Sequence, residues 1–188
     1  MAFATNGVCV VFSIESCVLP DAALLGSYLK GGAYTDCYAT DISAQVSHAQ
    51  YVNAFYTTFA FRLERLILKW VASKPSTDAE VNQLATGAIE TFAAWHVEKR
   101  SENQLLLCDF LGSTRSWLMI APWVTGIGCG TRLYFGSAVV PRKNAKTGKS
   151  TIGFGFRALL GFHKLYSLVL LYSAKSRLEA MVSEARRR

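Results

Sequence analysis

The chain has 188 residues, 51% of them hydrophobic and 18% charged, with 20 Lys+Arg against 13 Asp+Glu. That length points to one domain with interior enough to fold without staples; the apolar content excludes a disordered chain, and four prolines exclude a proline-rich rod. The net charge of +7 is concentrated: residues 142–188 hold 11 Lys+Arg and 2 Glu, whereas residues 1–141 hold 9 and 11.

Residues 1–20 are apolar, weakly patterned and free of Lys and Arg, so they read as an N-terminal extension: an added edge strand or a loosely anchored segment. A secretion signal would open with positive charge. The run Val8–Ile14 is too short to span a membrane. A single domain is expected over 21–188, ending in a basic tail. Asp21 to Lys30 predicts a short helix stopped by Gly31-Gly32, and Tyr34 to Ile42 predicts a strand. Ser47 with Gln50 three residues later forms a capping box for a helix through Tyr56. Phe59 to Val71 repeats apolar residues at helical spacing, and Thr77 with Glu80 caps a further helix closing at Gly87. Strands follow over Ile89 to Lys99, Gln104 to Phe110, Thr114 to Ile120 and Thr131 to Val140. Their short connectors force antiparallel pairing. From Phe156 to Glu184 a long amphipathic helix ends the chain. It is interrupted by Arg157, His163 and Lys164, and reads as buried rather than membrane-spanning.

The fold class is therefore α+β: a curved antiparallel sheet wrapped around the long C-terminal helix, with two or three short helices after the first strand. This order resembles the START-like, or Bet v 1-like (SRPBCC), helix-grip superfamily. Phe61-Arg62-Leu63-Glu64-Arg65, Arg115-Ser116-Trp117-Leu118, Tyr134-Phe135-Gly136-Ser137 and Phe162-His163-Lys164-Leu165-Tyr166 look like bacterial domain families placed near it. The likeness covers about residues 34–180. It implies a hydrophobic cavity between sheet and helix, with functions ranging from lipid or polyketide binding to cyclisation.

Arg115, Trp117 and Met119 lie at period two and share a sheet face. On a concave face Arg115 would be a cation in an apolar cavity, needing Glu64, Asp36, Asp109 or a ligand carboxylate as partner; otherwise it faces solvent with its stem over Trp117, or forms a structural ion pair. Trp95, Phe135, Tyr38 and Tyr166 are either core or cavity lining, with Glu64 at the mouth. The expected function is the binding of a hydrophobic small molecule or lipid-like ligand in this cavity, without a cofactor or a metal. One alternative is a cyclase or dehydratase with Asp36, Glu64 or Asp109 as base and Arg115 stabilising an enolate. Another is weak contact with an anionic membrane surface through the basic last quarter; nucleic acid is not an expected partner. Gly148-Lys149-Ser150 lacks the first glycine of a phosphate loop, and the run of Gly126, Gly128 and Gly130 lacks the helix that a dinucleotide site needs. Ser116, His96 and Asp109 have triad chemistry but no nucleophile turn. Five widely spaced cysteines (Cys9, Cys17, Cys37, Cys108, Cys129) point to a reducing, cytoplasmic compartment.

Overall fold

The computed structural model describes residues 14–59, 61, 77–125, 128–140 and 154–187. The helix expected over Phe59–Val71 falls mostly outside them, as do Glu64, Cys9 and the basic stretch 142–149. The elements run β1 (Glu15–Ser16), α1 (Gly26–Lys30), β2 (Tyr34–Ile42), α2 (His48–Tyr56), α3 (Asp78–Thr86), β3 (Thr91–Phe92), β4 (Trp95–Ser101), β5 (Gln104–Asp109), β6 (Thr114–Thr125), β7 (Gly128–Val139) and α4 (Phe154–Arg187). Among the described residues the strands form one open antiparallel sheet in the order β1-β2-β7-β6-β5-β4-β3. The molecule is an α+β protein with a seven-stranded curved sheet and a long C-terminal helix, as the sequence pattern implies.

Local signals explain most boundaries. Both capping boxes form: Ser47 Oγ accepts from Gln50 N while Gln50 accepts from Ser47 N, and Thr77 and Glu80 do the same for α3. At the far end of α3, Gly87 takes φ 80°, the left-handed stop that glycine adopts without strain. Two expectations need correction. The first helix starts only at Gly26, because Pro20 to Leu25 folds into turns, with Ala23 N bonded to Pro20 O and Gly26 N to Ala23 O. The strand read over Ile89–Lys99 is a hairpin: Phe92 pairs with Trp95 across Ala93 at φ 52° and Ala94. Nothing in two alanines announces that turn.

Helices α2, α3 and α4 pack on one face of the sheet. Its core is aromatic: Phe55 lies 4.9 Å from Phe135 and 5.1 Å from Tyr56, and Tyr56 lies 4.7 Å from Phe61, all measured between ring centroids. Leu170, Leu171, Ala174 and Leu178 of α4 join this cluster, resting on α2 and β2. The opposite, outer face is covered too. Residues Cys17 to Tyr28 lie over it, burying Leu25, Ala23, Trp117, Leu106 and Met119. Gln104 fastens this cover: its side-chain oxygen accepts from Leu24 N and Trp117 Nε1 (both 2.9 Å), and its Nε2 donates to Ala22 O at 3.0 Å.

Candidate functional site

The two-sided burial decides where the expected site residues go. Arg115, Trp117 and Met119 do share a face, as period two requires, and it is the outer face under the Cys17–Tyr28 cover. Arg115 Nε donates to Glu98 Oε2 at 2.6 Å and to Tyr28 Oη at 2.7 Å, with its guanidinium carbon 4.7 Å from the Tyr28 ring centre. The Tyr28 hydroxyl donates in turn to Glu98 Oε1. This closed triangle is the structural ion pair set out above. The Arg115 guanidinium is opposed by burial, but the Tyr28 hydrogen bond and the Glu98 charge outweigh it and hold its pKa above the usual value.

Tyr38 and Phe135, paired across β2 and β7, lie on the helix face with Trp95 and Tyr166 packed at the margin of the same core. The sheet therefore separates Tyr38, Phe135, Trp95 and Tyr166 from Arg115, Trp117 and Met119, and Glu64 lies outside the described residues. The described carboxylates offered as bases, Asp36 and Asp109, are each engaged by their own neighbours. Asp36 is on the helix face, accepting from Ser137 N at 3.0 Å and Ser137 Oγ at 2.6 Å. Burial first, and the Asp36 charge second, push the neighbouring Tyr34 phenol up to about 12. Asp109 caps the β5–β6 turn by accepting from Ser113 N and Thr114 N. His96 and Ser116 fall on opposite faces, since His96 stands beside Cys108 and Arg115 in register whereas Ser116 stands beside Leu107.

Open space is found elsewhere. A groove of about 780 Å³ lies at the end of the sheet where the β4–β5 and β6–β7 hairpins meet the start of α2 and the end of α3. Its walls are mainly apolar, from Val46, Ala85, Ile120, Pro122, Trp123 and Val124, and Val124 is left 73% exposed. Gln45, Ser47, Arg100, Glu102 and Asn103 supply polar groups. Arg100 Nη2 donates to Leu84 O at 2.9 Å, placing a cation at the C-terminus of α3 where the helix dipole favours it. His48 also lines the groove. Its ring is buried, and burial lowers its pKa to about 4 despite a hydrogen bond from its ring N–H to the Leu118 carbonyl, with the Arg100 charge lowering it further. At neutral pH that imidazole carries no charge. Sequence reasoning missed the groove because its residues come from five separate segments. The apolar triplet Pro122-Trp123-Val124, running past the expected end of its strand, was the available signal.

Among the described residues, no three His, Cys, Asp or Glu side chains gather where they could hold a metal ion, and no helix is long and apolar enough to cross a membrane. No family model, no curated protein and no solved structure matches the chain.

Proposed function

We propose that the protein is a binding module for a hydrophobic small molecule or lipid-like ligand, taken up in the groove at the hairpin end of the sheet. The observation that carries this reading is the groove itself: about 780 Å³, within the range of small-molecule sites, with apolar walls and a few polar groups. Uncharged His48 and an Arg100 already engaged by Leu84 favour an apolar body with a hydrogen-bonding head over a multiply charged ligand. The sheet and terminal helix are compatible with a helix-grip arrangement, and on that basis we place the chain near the START-like superfamily. A reducing, cytoplasmic setting suits its five widely spaced cysteines.

The test is thermal unfolding with saturating dodecanoate and, separately, an anilinonaphthalene sulfonate probe. Ligand at a hundredfold excess over Kd stabilises by about 2.7 kcal/mol, a rise in Tm of about 5–10 °C for a chain of this size. Thr86→Trp, at an exposed position on the groove wall, should abolish the rise while leaving the unliganded Tm within about 2 °C. No shift with either probe overturns the reading.

A further inference from the structure

Beyond β1 the chain keeps its antiparallel register with β2. Glu15 faces Ala39, Ser16 faces Tyr38, and Cys17 N donates to Cys37 O at 3.0 Å, so the two cysteines stand directly opposite. Their sulfur atoms are 3.3 Å apart, with the Cys17 thiol donating to the Cys37 sulfur. A disulfide requires Cα atoms about 4.4–6.8 Å apart, which a directly opposed strand pair supplies at about 5.5 Å, and sulfurs about 2.05 Å apart, so closure needs only a small side-chain movement from 3.3 Å. The two differ in access. Cys37 is buried at 3% exposure, whereas Cys17 is half-buried. A crevice of about 350 Å³, walled by Val18, Leu29, Thr35 and Lys164, opens onto both.

We propose that Cys17 and Cys37 form a redox couple that closes to a disulfide by exchange with a small-molecule disulfide such as oxidised glutathione. The Cys17 thiolate attacks one glutathione sulfur, expelling a glutathione thiolate and leaving a mixed disulfide on Cys17. The Cys37 thiolate then attacks the Cys17 sulfur and expels the second glutathione. Two protein thiols are oxidised, one disulfide is reduced to two thiols, and the two protons pass to the departing thiolates. Division into an accessible attacking thiol and a buried resolving one follows from the exposures. Burial raises both thiols above the usual range, so the exchange is slow at neutral pH and quickens in alkali. The closed bond ties the segment carrying Ala23, Leu25 and Tyr28 to the sheet it covers.

The experiment treats the full chain with oxidised glutathione at mildly alkaline pH, quenches with iodoacetamide and measures intact mass. Cleavage after Glu15 and Lys30 then places Cys9, Cys17 and Cys37 on three peptides. Expected are the loss of two hydrogens, a Cys17–Cys37 linked pair, and a Tm higher by about 5–10 °C. In Cys37→Ser, Cys17 should instead retain a glutathione adduct. A Cys108→Ser/Cys129→Ser double variant should form the link unchanged. A stable adduct on Cys17 of the wild-type chain, a link involving another cysteine, or reaction confined to exposed Cys129 overturns the couple. A link without any gain in Tm overturns the clamp.

Discussion

The side chain of Gln104 shows how one buried amide can hold a layer in place. Truncation to Ala removes three hydrogen bonds at once and strands the Trp117 indole N–H and the Leu24 N–H beneath the cover. Unsatisfied buried donors cost about 1–3 kcal/mol each. Gln104→Ala should therefore lose about 3 kcal/mol in urea unfolding. His48 supplies a pH-dependent counterpart. Its imidazole takes a proton near 6.5 when unfolded and near 4 when folded, so between those values the unfolded chain binds more protons. The stabilisation is whole above pH 6.5 and is lost as pH falls toward 4. Between about pH 7 and pH 4.5 the wild type should lose about 2–3 kcal/mol more than His48→Gln, a difference that cancels the carboxylates common to both. An equal loss in the two proteins would remove His48 as the cause. Arg115 marks the limit of what a single sequence discloses about such residues. Period two placed it with Trp117 and Met119, and its need for a carboxylate was plain from its apolar neighbours. Its partner is Glu98, delivered by the register shift between Val97 and Lys99, and a bulge leaves no mark in strand periodicity.

Elements were legible wherever the local chemistry is self-contained. The boxes at Ser47/Gln50 and Thr77/Glu80, the stop at Gly87 and the full extent of β2 all follow from residues close together in the chain. What escaped depends on distant chain. Gly130 reads as a turn glycine and Gly136 as a strand glycine; both lie inside β7, where neighbours come too close for any side chain. A Cβ on Gly136 would stand 2.9 Å from Asp36 O, 2.9 Å from the Trp117 ring and 3.0 Å from Leu25. Backbone cannot yield there, and the Trp117 ring is pinned by Gln104. Gly136→Ala is thus expected to cost about 1–3 kcal/mol by overpacking, whereas Gly26→Ala, which meets nothing within 4 Å, should be neutral or slightly stabilising. Chemical denaturation of the pair decides it. A neutral Gly136→Ala would mean that the outer layer is looser than its geometry indicates.

For the whole molecule, element order was enough to give an α+β sheet with a terminal helix, but it suggested one buried face where the structure has two. The evidence for the second face was in the strands. Leu105-Leu106-Leu107 and Trp117-Leu118-Met119 are apolar at every position, and a strand wet on one side alternates instead. Only a further segment could cover that extra face, and the turn-rich stretch before α1 does so. The two layers differ in how they are tied. Leu171 lies in a core shared by α2, α4 and the sheet, whereas Leu25 lies under a short segment held by Gln104 and the Arg115–Glu98–Tyr28 triangle. Leu25→Ala and Leu171→Ala each empty a fully buried site and should cost about 2–5 kcal/mol. Their native-state hydrogen exchange should nonetheless diverge. In Leu25→Ala, amides of residues 17–31 should exchange faster through local opening while those of α2 stay protected to the global limit. In Leu171→Ala, protection should fall together in α2, α4 and β2. If Leu25→Ala instead lowers protection uniformly, the cover and the helix layer open as one unit, and a clamp at Cys17 would stabilise the entire fold rather than its outer layer alone.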